Sequence, residues 1–213
     1  MGWRSLEEFI LALEQRGELL RVSRPIDVEL EAGCIADLLV KRNGPAVIFD
    51  QPRLGDGSIS RYPLAMNLFG TRDRTNLALG VVEPKEIGEM MTGLMKPDIG
   101  GILRRPWTGL GLLKQGISMA PRKVSRGKCQ QVRMDNPDVT MLPIPTTWPQ
   151  DGGPFMTLPL VVTSDPETGV HNLGMYRSQV FGPDEVGLHW QKHKHGADHA
   201  EASGDRMPVA ICL

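Results

Sequence analysis

Glycine and proline interrupt this 213-residue chain 24 and 17 times, and they fall along its whole length, so no long uninterrupted helix can form. What remains open is a series of short elements joined by turns. Between the breaks, the spacing of apolar residues gives the element type. Leu6, Phe9, Ile10 and Leu13 recur at helical spacing behind Ser5-Leu-Glu-Glu8, a capping box in which hydroxyl and carboxylate satisfy first-turn amides, and Gly17 offers a left-handed stop. Asp27 is positioned to cap a second helix carrying Leu30, Ile35, Leu38 and Leu39, which Asn43-Gly44-Pro45 must end. Ala46-Val-Ile-Phe49 reads as a strand. A third helix starts near Pro84, carries Ile87, Met90, Met91 and Leu94 on one face, and ends before Pro97.

From Gln130 onward the pattern is β. Val132 opens a strand, Leu158 to Thr163 is another, and Asp165-Pro-Glu-Thr-Gly169 turns into a long strand from His171 to Val180. Pro183-Asp-Glu is a second turn, Leu188-His-Trp190 a short strand, and His195 to Ala202 a helix that Gly204 ends. Met207 to Leu213 reads as a buried strand with no polar tail, so the expectation is a piece of a longer chain. The expected class is α+β: an α/β domain with a basic connector over 1–115, then over 116–213 the incomplete first part of an antiparallel barrel or sandwich.

Charge is unevenly placed. Between Ile99 and Met134 lie eight of the 24 basic residues and none of the 25 acidic ones. This segment reads either as an anion-binding patch or as a solvated connector, and the lack of regularly interleaved aromatic residues argues against a single-stranded nucleic-acid site. Cys34, Cys129 and Cys212 form no CxxC pair, which excludes a thiolate zinc centre of the usual spacing. No apolar run approaches the ~20 residues of a membrane-spanning helix, and no signal peptide is visible, so a cytoplasmic protein is expected.

Side chains with chemical potential concentrate in two stretches, His171-Asn-Leu-Gly-Met-Tyr-Arg177 and His189-Trp-Gln-Lys-His-Lys-His195. In a strand, Asn172, Gly174, Tyr176 and Ser178 share one face and His171, Leu173, Met175 and Arg177 the other. Gly174 would let a flat ligand approach, and Arg177 suits two-point recognition of a carboxylate or phosphate. All five histidines lie between His171 and His199. A metal centre, a solvated basic loop, and a phosphate site with a single metal-bound histidine all fit, because Lys192 and Lys194 interleave and oppose a dication.

In order along the chain, Leu142-Pro-Ile-Pro, Trp148-Pro-Gln-Asp-Gly-Gly153, Thr163-Ser-Asp-Pro-Glu-Thr-Gly169, His171 to Val180 and His189 to Lys194 resemble the UbiD family of reversible decarboxylases. Leu6-Glu-Glu-Phe, Gly17-Glu-Leu, Pro25-Ile-Asp27, Gly44-Pro-Ala and Asn67-Leu-Phe-Gly-Thr71 extend the resemblance over the N-terminal half. It implies a flavin-reductase-like split β-barrel and a prenylated FMN supplied by a flavin prenyltransferase. It also implies Mn²⁺ and K⁺ at the phosphate, and non-oxidative decarboxylation of an aromatic or α,β-unsaturated acid through a covalent substrate–flavin adduct. By motif, Asn172 and His193 are implied metal ligands. Met175, Tyr176, Arg177, His189, Trp190, Gln191, Lys194 and His195 are implied cofactor contacts, with Arg177 also catalytic. The third metal ligand, a glutamate, and the proton donor are expected after Leu213, so the chain alone is expected to be inactive, and the complete protein to form homo-oligomers. A non-catalytic flavin- or phosphate-binding module and a small histidine-metal hydrolase are the competing classes.

Overall fold

The computed structural model describes residues 3–95, 110, 111, 114, 117 and 123–213. Its contacts group into two units, one of Met1–Leu13 with Phe69–Asp135 and one of Glu14–Leu68 with Asn136–Leu213. Among the described residues no helix is long and apolar enough to cross a membrane.

In the first unit, α1 (Leu6–Gln15) begins as its sequence predicts. Ser5 Oγ accepts the Glu8 amide at 3.3 Å, and the Glu8 carboxylate reaches back to the amide of Arg4 at 2.8 Å. Phe9 and Leu13 are buried. Phe9 stacks on Phe69 with centroids 5.7 Å apart and meets Trp3 at 5.5 Å, while Trp3 Nε1 donates to the Leu77 carbonyl. That carbonyl belongs to α2 (Arg72–Leu79), capped by Thr71 and ended by Gly80 at φ 68°. α3 (Lys85–Met95) carries the Ile87, Met90 and Met91 stripe where periodicity places it. Val132 opens no strand; it is exposed irregular backbone beside Arg133 and Asp135, with no strand paired to it among the described residues.

The second unit starts with a β-α-β crossover. Strands β1 (Leu19–Val22) and β3 (Ala46–Phe49) are parallel, joined through β2 (Ile26–Asp27) and the helix α4 (Glu31–Lys41), and β5 (Leu64–Met66) pairs antiparallel with β3. β4 (Pro52–Arg53) runs parallel to β2. All four residues of β3 are buried, as a strand covered on both faces requires. Ile26, Ala32, Val47 and Phe49 form the core, and each large side chain among them contributes about 1.5–3 kcal/mol by leaving water.

Asp27 does not cap α4. It lies in β2, its carboxylate pairs with Arg53 at 2.9 Å, and Glu31 accepts its amide instead. The helix is entered through Leu30 at φ 64° and ψ −44°, a γ-turn in which the Glu31 amide meets the Glu29 carbonyl at 2.7 Å. Thr146 holds that turn, its carbonyl accepting from Leu30 and its amide donating to Val28.

The rest of the unit is antiparallel. β6 (Phe155–Met156), β9 (Ser178–Gly182) and β10 (Glu185–Leu188) form one sheet in the order β10-β9-β6, and β7 (Leu160–Ser164), β8 (His171–Met175) and β11 (Ala210–Cys212) form another in the order β11-β7-β8. The Asp165 turn between β7 and β8 stands as expected, with Asp165 Oδ1 accepting the amides of Glu167 and Thr168 and Gly169 at φ 69°. α5 (His195–Ser203) ends at Gly204.

Three expectations change here. The short strand read at Leu188–Trp190 lies earlier, at Glu185–Leu188, and His189 and Trp190 fall outside it. The single strand from His171 to Val180 is two strands in different sheets, because Tyr176 and Arg177 leave the ladder between β8 and β9. At Ala210–Cys212 the strand is exposed at both ends and half-buried at Ile211; among the described residues it pairs only with β7 and shares an uncovered face with Leu160, Leu173 and Met175.

Candidate functional site

The break between β8 and β9 is also where the chemistry gathers. Met175, Tyr176, Arg177, His189, Gln191 and Lys194 line one open cleft of about 440 Å³. Strand alternation prepares it: Asn172, Tyr176 and Ser178 are inward and covered, while Met175 and Arg177 are outward and exposed. The His189 amide donates to the Arg177 carbonyl at 3.4 Å, which ties the far wall of the cleft to the break.

Tyr176 is the anchor beneath. Its buried ring meets Trp190 edge-on at 4.7 Å and 68°, and its Oη accepts the amide of Gly196, in the first turn of α5, at 3.3 Å. A Cβ on Gly196 would lie 2.3 Å from the Trp190 ring, and one on Gly174 would lie 2.3 Å from the Tyr176 ring. Both glycines therefore exist for the aromatic pair. The space beside Gly174, expected to admit a flat ligand, is filled by Tyr176 itself.

The remaining sequence-selected residues fall around this centre. Lys194 is the N-cap residue of α5 and His195 its first residue, both exposed. Trp190 packs on Tyr176 and is not among the cleft-lining side chains. Asn172, opposite Thr163 in the β7–β8 register, has a buried Nδ2 with no hydrogen-bond partner; an orphaned amide end of that kind is where an ion or water is owed. His193 is exposed. Among the described residues no three of His, Cys, Asp and Glu gather into a metal centre. The orphaned Nδ2 is a donor owed an acceptor such as water or an anion and does not itself ligate a cation, so only Asn172 Oδ1 could serve as one ligand of an incomplete set.

Two contacts escape sequence reasoning. The Phe155 ring lies under the Arg177 guanidinium, Cζ to centroid 4.9 Å. Thr163 Oγ1 and His199 Nδ1 are 2.9 Å apart and buried. Neither contact is visible without the β6–β9 register and the packing of α5 on β7. A second, larger cleft of about 600 Å³ is lined by Leu30, Asp56, Ile144, Trp148, Asp151 and Pro154 among others, where the Leu142-Pro-Ile-Pro and Trp148-Pro-Gln-Asp-Gly-Gly153 segments fold against the γ-turn.

The fold and cleft define a mixed α and β chain in which antiparallel sheets present a basic, ligand-sized opening. Residues 10–92 match the 3-octaprenyl-4-hydroxybenzoate carboxy-lyase N-terminal domain, and residues 122–213 match the 3-octaprenyl-4-hydroxybenzoate carboxy-lyase Rift-related domain. The chain belongs to the UbiD family.

An uncharacterized protein of Archaeoglobus fulgidus is 40% identical over 217 residues, covering 100% of this chain and 44% of that protein. The closed form of the vanillic acid decarboxylase of Sedimentibacter hydroxybenzoicus superposes with a TM-score of 0.78 at 25% identity, over 99% of this chain and 43% of that one. The UbiD-class enzyme HmfF of Pelotomaculum thermopropionicum shares the fold, with a TM-score of 0.72 at 24% identity over 97% of this chain and 41% of the enzyme, in complex with FMN. An evolved dimeric form of it, in complex with prFMN, gives 0.70 at 22% over 98% and 44%. The chain therefore spans less than half the length of these relatives.

Proposed function

We propose that this chain is the flavin-binding part of a carboxy-lyase that removes CO₂, reversibly and without net oxidation, from an aromatic or α,β-unsaturated acid with prenylated FMN as cofactor. The observation that supports this reading is the convergence of Met175, Tyr176, Arg177, His189, Gln191 and Lys194 on one cleft, with the buried Tyr176 ring and the half-buried Trp190 ring packed against each other beside it. HmfF, with FMN in one structure and prFMN in another, supports a flavin as the occupant.

The bound flavin supplies an electron sink for the charge left when CO₂ departs. The protein's residues do the rest. Arg177 orients the substrate carboxylate or the cofactor phosphate by charge-assisted hydrogen bonds, Lys194 and the adjacent first turn of α5 add positive potential, and His195 adds a further polar contact. Trp190 acts through Tyr176 by shaping the floor. Asn172 and His193 would hold Mn²⁺, with K⁺ beside it, to neutralise the phosphate. Polypeptide outside the chain completes the metal set and donates the proton, so the chain alone binds flavin and does not turn over. A flavin prenyltransferase supplies the cofactor, and the complete protein is a cytoplasmic homo-oligomer.

The test is direct. Flavin fluorescence should be quenched when the chain is added to FMN, and less so with Arg177→Gln. A chain extended to the full length of its relatives, given prenylated FMN, Mn²⁺ and K⁺, should release CO₂ from a panel of aromatic and acrylic acids. Flavin binding without CO₂ release from any acid would leave a binding module in place of the enzyme.

A further inference from the structure

We infer that His199 is a positioning residue for the cleft: through its hydrogen bond to Thr163 it fixes the rotation of α5 and so presents Lys194 to an anionic ligand. The proposal rests on the flavin reading above only for the identity of that anion, the phosphate of FMN; the seating of the helix is geometry. Lys194 lines the cleft and is the N-cap residue of α5. Its carbonyl accepts the amides of Ala197 at 2.8 Å and Asp198 at 3.2 Å, and its own amide donates to the carbonyl of Gln191, another lining residue, at 3.0 Å. The backbone of Lys194 therefore goes where α5 goes.

Polar bonds seat this helix. From His195 to Ser203 it carries no apolar side chain larger than alanine, so hydrophobic burial contributes little to holding it. Gly196 and His199, three positions apart and hence on one face, are its buried residues. Each is fastened by a directional bond: the Gly196 amide donates to Tyr176 Oη at 3.3 Å, and His199 Nδ1 and Thr163 Oγ1 meet at 2.9 Å. A helix held at Gly196 alone would pivot about that point. The second bond lies nearly a turn further along, on β7 instead of the break between β8 and β9, and removes that freedom. The Thr163 hydroxyl can donate or accept, so it serves either imidazole tautomer. Ser203 Oγ donates to the His199 carbonyl at 2.6 Å, which keeps the last turn wound about the same residue. A satisfied buried polar pair of this kind selects one packing where an alanine face would accept several.

The experiment uses the whole chain and compares FMN with riboflavin, which has the same ring system and no phosphate, by flavin fluorescence. His199→Leu should bind FMN several-fold more weakly than the wild type and riboflavin equally well. Thr163→Val, which removes the bond from the other side, should show the same selective loss. His199→Asn, whose amide reaches the place of the imidazole Nδ1, should restore FMN affinity. Added to Lys194→Met, His199→Leu should cost nothing further. Equal losses for FMN and riboflavin overturn the inference, since a merely structural histidine would give them. So do unchanged FMN affinity in both His199→Leu and Thr163→Val, and full additivity with Lys194→Met. If the wild-type chain binds neither flavin, the flavin reading fails, and the shift of the ¹⁵N-labelled Lys194 amide on titration with inorganic phosphate decides the role of His199. A shift kept in His199→Asn and lost in His199→Leu supports it; one equal in all three proteins, or absent from the wild type, overturns it.

Discussion

Thr163 on β7 and His199 on α5 share a buried hydrogen bond, Oγ1 to Nδ1 at 2.9 Å, with 1% and 9% of their surfaces exposed. Thr163 is the register partner of Asn172, so this one contact fastens the helix that opens with His195 to the strand pair that carries the orphaned amide. His199, one of the five clustered histidines, is here a structural one, its Nδ1 occupied by a hydroxyl.

Thr163→Val keeps the shape and removes the oxygen, leaving His199 Nδ1 buried without a partner. The expected loss is about 1–3 kcal/mol, read as a lower midpoint in urea. Thr163→Ser should recover most of it, because the hydroxyl returns.

Gly196→Ala places a methyl 2.3 Å from the Trp190 ring and 3.0 Å from Tyr176 Oη. Overpacking of this kind costs about 1–3 kcal/mol. The near-ultraviolet circular dichroism of the Tyr176–Trp190 pair should change, and FMN affinity should fall with it.

Two helical glycines should respond to alanine with opposite signs. A Cβ on Gly88 in α3 meets nothing within 4 Å, so Gly88→Ala should stabilise by about 0.5–1 kcal/mol through helix propensity. A Cβ on Gly33 in α4 would lie 2.9 Å from the Thr147 carbonyl oxygen. That neighbour is backbone and cannot rotate away, so Gly33→Ala should destabilise despite the same gain in propensity. Thermal melts of both variants decide the matter.

The amides of Thr168 and Glu167 hold the Asp165 carboxyl below the usual carboxylate range. Its folded pKa is depressed, so the unfolded chain binds more protons in acid. The stabilisation is present above the unfolded pKa and disappears as pH falls through the folded one. Asp165→Asn, which keeps an acceptor for the turn, should flatten the acid limb of the stability profile and leave its slope near neutrality unchanged.

Local chemistry was legible in the sequence wherever a short-range rule governed it. The Ser5 box, the Gly204 helix end and the Asp165 turn each need only neighbours in the chain, and periodicity and propensity placed α1, α3, α5 and β3. The misread elements depend on distant partners. Asp27 is drawn from a cap into an ion pair by Arg53, 26 residues away. Val132 has strand composition and no strand beside it among the described residues. The alternation from His171 to Ser178 was read correctly, face by face, yet alternation is blind to which sheet a strand joins. At the site, the residue types were recognisable and their supports were not: Phe155 and Gly196 carry no chemical signature until Arg177 and Tyr176 are folded onto them.

The spacer between β8 and β9 is two residues long, and inward and outward positions keep their phase from Asn172 through Val180 across the change of sheet. Length here is a matter of parity. Removing or adding one residue between Met175 and Ser178 would turn one sheet inside out relative to the other, exposing either Thr163 and Asn172 or Ser178 and Val180. A two-residue change would preserve the faces. Natural length variation in this link should therefore come in even steps.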